Sequence, residues 1–213
     1  MKSKTDNNVL VILGGWNANI LLNVDWLKRY LFPNNENFKV EMPIRPAIFG
    51  PPQISTDFVK LSLIGAKLSF TPLSQENSVL EEIENLGKKI ADFLPHTPVS
   101  AMGINFLFEE DEEDANLSCI SGELMEKLQP FGTLKGQLHR YSFSFANHTL
   151  NLTIRKASEE IQTYDFNFNH PIQTLSDIKE IFANKTIIEY RNEARDKLSE
   201  LIENVVEQGL ENE

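Results

Sequence analysis

The stretch QLHRYSFSFANHTLNLTIR, Gln137 to Arg155, decides the fold class. Tyr141, Phe143 and Phe145 alternate with Arg140, Ser142 and Ser144. After a turn at Asn147-His148, Leu150, Leu152 and Ile154 alternate with Asn151, Thr153 and Arg155. QTYDFNF, Gln162 to Phe168, repeats the pattern with Tyr164, Phe166 and Phe168 set against Thr163, Asp165 and Asn167. Successive side chains of a strand point to opposite faces. A period of two over three consecutive segments therefore predicts an antiparallel meander, one face in the core and one in water. The polar side gathers Arg140, Arg155 and Asp165. A solvated face with cross-strand pairs is the plain reading, and a small-ligand face is the alternative.

Toward the N-terminus, Val99 to Phe108 reads as a long strand with Met102, Ile104, Phe106 and Phe108 on one face. Before it, Ser78 and Glu81 have capping-box spacing ahead of a helix to Leu94, whose apolar residues recur at helical intervals. Phe58 to Ile64 and Ala66 to Thr71 flank Gly65 as a hairpin. The segment from Pro43 to Pro52 holds four prolines in ten residues and reads as a loop, the best internal boundary of the chain. Further back lie a weak strand from Phe38 to Met42, a helix from Val24 to Phe32 capped by Asn23, a short strand from Val9 to Leu13, and a disordered lead.

Beyond the opening stretch on the N-terminal side, a short helix is expected near Gly122 to Gln129. After the meander, Thr174 is placed to cap a helix to Phe182. A long helix follows from Thr186 to Gln208, with Ile187, Tyr190, Ala194, Leu198, Leu201, Ile202 and Val205 along one stripe. The expected class is α+β: an antiparallel sheet, made of the late meander plus an earlier hairpin and strand, packed against helices. Residues 1–57, 58–185 and 186–213 are read as an N-terminal segment, an α+β core and a terminal amphipathic helix of one compact unit.

The chain has 213 residues and a formal net charge of −11. Glu109 to Asp114 contribute six acids without a base, over half of that excess. Clustered Lys/Arg is what phosphate backbones and anionic bilayers require, so neither nucleic acid nor a membrane surface is an expected partner. The single cysteine, Cys119, allows no intrachain disulfide, and the five apolar residues Val9 to Leu13 are too short for a secretory core or a membrane span. A cytoplasmic location is the expectation.

Gly14-Gly15 ends an apolar run ahead of a helix, where phosphate loops occur. The lysine of a P-loop is missing and GxGxxG is absent, so the expectation is a turn needing one positive φ, with Trp16 tucked back. The histidines His96, His139, His148 and His170 are not expected to cluster, and zinc spacings are absent. Cys119 and the serines lack the context of an activated nucleophile. No cofactor, metal or catalytic residue is called.

The expected function is non-catalytic: an assembly subunit, adaptor or inhibitor working through protein contacts or self-association. Leu198, Leu201, Ile202 and Val205 of the terminal helix are the first candidate contact residues. Glu109, Glu110, Asp111, Glu112, Glu113 and Asp114 are the second, as a solvated loop able to dock a basic partner. The alternatives are an enzyme with a site assembled from scattered residues, around Cys119 or the Arg140/Asp165 face, and an immunity- or antitoxin-like neutraliser of a basic partner.

Overall fold

A computed structural model describes residues 2–5, 7–35, 37–41, 44–45, 48–49, 53–109, 136–157 and 162–210. The strands are β1 (Lys2–Ser3), β2 (Leu10–Gly14), β3 (Lys39–Glu41), β4 (Ile44–Arg45), β5 (Ile48–Phe49), β6 (Gln53–Ser55), β7 (Val59–Ile64), β8 (Lys67–Pro72), β9 (Val99–Glu109), β10 (Gly136–Ser144), β11 (Thr149–Ala157) and β12 (Thr163–Pro171). Nine of them form one antiparallel sheet in the order β10-β11-β12-β9-β2-β8-β7-β6-β3, and β1 continues the line of β2 along β9. β4 and β5 make a separate two-stranded hairpin.

The meander has the register its alternation predicts. Tyr141 lies opposite Leu152, and Leu152 opposite Phe166. Phe166 in turn lies opposite Phe106 of β9, so all four are on one face. The same face carries Leu10, Ile12, Leu61, Leu68 and Phe70 from the other half of the sheet, all with no exposure. Residues 1–57 supply β2, a central strand of the sheet, between β9 and β8.

Five helices lie on that apolar face: α1 (Ala18–Leu21), α2 (Val24–Trp26, continued by a π-helical turn Leu27–Leu31), α3 (Asn77–Phe93), α4 (Ser176–Asn184) and α5 (Ile187–Leu210). Leu80, Ile83, Leu86 and Ile90 of α3 join Ile178 and Phe182 of α4, and Ile187, Tyr190, Ala194 and Leu198 of α5, in the single core. Burying side chains of this size stabilises by roughly 1.5–3 kcal/mol each. The opposite face bears no helix among the described residues, giving a two-layer α+β protein.

Several local expectations need correction. The lead contains strand β1, and the Pro-rich stretch includes β4 and β5. Helix α3 starts at Asn77, so Ser78 sits inside its first turn and no side chain caps it. Its start is tied down instead by Arg191 of α5, which donates to the Gln75 carbonyl (2.8 Å) and to Asn77 Oδ1 (2.6 Å). At α4 the acceptor is Asp177, not Thr174. Its carboxylate takes the N–H of Gln173 (2.7 Å) and of Thr174 (3.0 Å), and these bonds hold its pKa below the usual carboxylate range. The reciprocal cap belongs to α5: Thr186 N–H donates to Glu189 Oε2 (2.7 Å) and Glu189 N–H to Thr186 Oγ1 (3.2 Å). Buried Glu84 of α3 accepts the next N–H, that of Ile187 (2.9 Å), and so locks two helices together. Gly65 is the positive-φ glycine of the described residues, at 59° in the β7–β8 turn; Gly14 and Gly15 are not. Gly14 is small for another reason: a Cβ there would stand 2.6 Å from the Pro98 carbonyl oxygen.

Candidate functional site

The apolar face is not covered to its edge. β10 ends the sheet and pairs, among the described residues, only with β11. Its core-facing side chains Tyr141 and Phe143, and Phe145 just beyond, remain 46%, 47% and 45% exposed. The pattern put all three on the correct face, but α5 only borders them and leaves them half open. Between them and α5 is an open hollow of about 280 Å³, walled by Phe143, Phe145, Leu152, Phe166, Lys197 and Leu201. Lys197 Nζ sits 5.8 Å from the Phe145 ring centroid and 3.6 Å from Glu193 Oε1.

This places the terminal-helix candidates. Leu198 is a core residue at 2% exposure. Leu201 and Ile202 are partly buried against the core, and Leu201 also faces the hollow. The Val205 side chain lies outside the described residues. Of the acidic run, Glu109 ends β9 and pairs with Lys4, while Glu110 to Asp114 lie outside the described residues, as do Cys119 and the helix expected at Gly122 to Gln129.

Contrary to the expectation that the histidines stay apart, two of them meet beside this edge. The register sets Thr149 opposite Asn169, which brings His148 and His170 together with ring centroids 5.1 Å apart. Phe145 stacks on the outer side of His148 at 4.7 Å. His170 Nε2 is 3.0 Å from the Tyr190 hydroxyl of α5, and Lys185, paired with Glu193, lies over the Tyr190 ring at 4.6 Å. Burial is the main cause that pushes the His170 pKa down to about 4, helped by neighbouring His148. Burial likewise raises Tyr190 to about 12. At neutral pH the pair is a neutral imidazole against a protonated phenol. With exposures of 1% and 3% it fastens the β10–β11 hairpin end and β12 to α5.

The helix-free face is organised by amides. Ser142 Oγ donates to Asn151 Oδ1 (2.8 Å), and Asn151 Nδ2 to Asn167 Oδ1 (2.9 Å). Asn167 Nδ2 donates to Asn105 Oδ1, and Asn105 Nδ2 to the Asn8 carbonyl (2.8 Å). Thr71 Oγ1 donates to Asn8 Oδ1 (2.8 Å), and the Ser62 and Ser69 hydroxyls meet at 2.7 Å. The ladder thus runs from β10 through β11, β12 and β9 to Asn8 ahead of β2 and on to β8, and the Ser62–Ser69 pair joins β8 to β7 separately. Along it run two adjoining hollows of about 330 and 350 Å³ that share Asn8 and Lys67. Arg140 and Asp165 stand in one row through Thr153, and Arg155 is offset by two residues along β11. Asp165 lines the first hollow; burial raises its pKa, and Arg155 pulls it back down. The sequence placed these three together. It did not show the amide ladder, because Asn8 and Asn105 join it only through strand order.

The Gly14-Gly15 junction has no free cradle. Gly14 N–H donates to the Ala66 carbonyl (2.9 Å) and Gly15 N–H to the Pro98 carbonyl (2.8 Å). Trp16 Nε1 bonds the Ile12 carbonyl (3.2 Å) and packs on the core as expected. Among the described residues no group of three or more His, Cys, Asp or Glu side chains could hold a metal ion, and no helix is long and apolar enough to cross a membrane. No family model matches the chain, and neither the curated proteins nor the solved structures yield a match.

Proposed function

We propose that this is a non-catalytic intracellular protein that acts through protein contacts, as an assembly subunit, adaptor or inhibitor, and that its contact surface is the aromatic edge of the meander with the adjoining flank of α5. One observation carries the reading: Tyr141 and Phe143 of the edge strand and Phe145 just beyond it are each almost half exposed, and Phe143 and Phe145 wall an apolar hollow. Contiguous apolar surface rimmed by a few charges marks contact sites, and aromatic anchors seated in pockets carry most of the binding energy. An edge strand also offers backbone groups to an added strand, with alternate side chains entering the hollow. The net acidity supports a protein partner over nucleic acid or an anionic bilayer. The single cysteine supports a reducing compartment.

The test is the double variant Phe143→Ser/Phe145→Ser. It is expected to keep the wild-type circular dichroism spectrum. It is also expected to lose the mass that wild type shows in light scattering, or a stoichiometric partner that wild type retains through purification. A wild type that is monomeric and partner-free, with the variant indistinguishable from it, overturns the proposal.

A further inference from the structure

The open face of the sheet has features that a merely solvated face does not need. Its amides are bonded side chain to side chain across β10, β11, β12 and β9, and Asn105 is bonded on to the Asn8 backbone carbonyl, so they are held in place rather than left to rotate in water. Asn105, Asn151 and Asn167 each use one donor and one acceptor there, and the Asn8 side chain uses one acceptor. A primary amide has two donors and an oxygen with two lone pairs, so the remaining capacity is fixed in position. The floor of the first hollow is Ala101 and Gly103, small residues in the interior of β9. A Cβ on Gly103 would stand 3.0 Å from Asn167 Nδ2, and glycine inside a strand marks a close approach. In the wall, Asn7 Nδ2 is buried and has no hydrogen-bond partner among the described residues.

Charge narrows the ligand. Lys60 and Lys67 line the second hollow, and no carboxylate pairs with either among the described residues, in a chain with 31 acids against 20 bases. Neither hollow has an aromatic lining residue, which removes the platform on which a nucleobase would stack. We infer that this face binds an anionic sugar, its hydroxyls on the fixed amides of Asn8, Asn105 and Asn167 and its phosphate or carboxylate at Lys60 and Lys67. Hydroxyls both donate and accept, which is what a row of half-used amides complements. The surface is on the opposite side of the sheet from the aromatic edge, so the two readings stand or fall separately.

The experiment is a nitrogen-15 NMR titration of the full chain, following the side-chain NH₂ signals of Asn105 and Asn167 and the backbone amide of Gly103. The probes are glucose 6-phosphate, trigalacturonate, neutral maltotriose and inorganic phosphate. At least one anionic sugar should shift these signals saturably with Kd below about 1 mM, and maltotriose and phosphate should bind at least about tenfold more weakly. The two anionic arms separate phosphate from carboxylate as the charged group. Lys60→Ala/Lys67→Ala, at exposed or half-exposed positions, should weaken that sugar about tenfold with the fold intact, and Gly103→Val should fill the first hollow. The inference is overturned by any of three results: no saturable shift at these residues with either anionic sugar, equal binding of maltotriose or phosphate, or unchanged affinity in the double lysine variant.

Discussion

Phe166 and Asn167 are neighbours in β12 and face opposite layers. Phe166 is 1% exposed, with its ring 5.8 Å from that of Phe108. Asn167 is half-buried and bonded on both sides to other asparagines. The two faces of one sheet are thus held together by different physics. On the helix side, non-directional burial dominates, and a side chain counts by the apolar area it removes from water. On the open side the contacts are directional bonds whose net worth is small, because each group could bond water instead. A face that contributes little to stability yet is built in such detail is free to be shaped by binding. Sealing stops toward the edges of that face, at Val40 of β3 and, with three large rings, at Tyr141, Phe143 and Phe145 beside β11.

The largest contrast expected is between these two neighbours. Phe166→Ala should cost roughly 3–5 kcal/mol of unfolding free energy in urea titration, as a large-to-small change in a packed core. Asn167→Ala should cost only about 1–2 kcal/mol, by leaving Asn105 and Asn151 with an unmade bond. Equal losses would remove the distinction between the faces.

Acid should act on the sealed side. The His170 pKa is about 4 when folded, against an ordinary value near 6.5, so the unfolded chain binds its proton first. This stabilisation is complete above about pH 6.5 and lost as pH falls toward 4, amounting to about 3 kcal/mol. His170→Gln should flatten the urea midpoint between pH 7 and pH 4.5 relative to wild type. A variant with the wild-type slope would show that the imidazole titrates normally. The smallest effect belongs to neither face: Gly65→Ala should cost about 1 kcal/mol for its positive φ alone, since the site is otherwise open. A loss of several kcal/mol in thermal melts would mean the turn carries packing that the structure does not show.

Much of the architecture was legible because alternation is a local signal. Tyr164, Phe166 and Phe168, or Met102, Ile104 and Phe106, declare their face without reference to any other strand. The stripe on α5 did the same through Ile187, Tyr190, Ala194 and Leu198. What escaped depends on strand order and on pairs far apart in the chain. His148 becomes a neighbour of His170 only through register, and Asn105 reaches Asn8 only because β9 lies beside β2. Helix starts escaped for a related reason: Arg191 and Glu84 hold helix ends that belong to other elements. The polar triad Arg140, Arg155 and Asp165 was readable, whereas the hollow beside it rests on the small residues Gly103 and Ala101.

The most direct test of the proposed contact surface uses one photo-crosslinking residue at each of two exposed apolar positions, Phe143 on the aromatic edge and Ile64, 56% exposed, on the open face. Irradiated in cells that express the protein, position 143 should give a single dominant adduct with one protein, either another copy of this chain or one other polypeptide, and position 64 should not. Equal adducts at both positions, or none at position 143, would contradict the account.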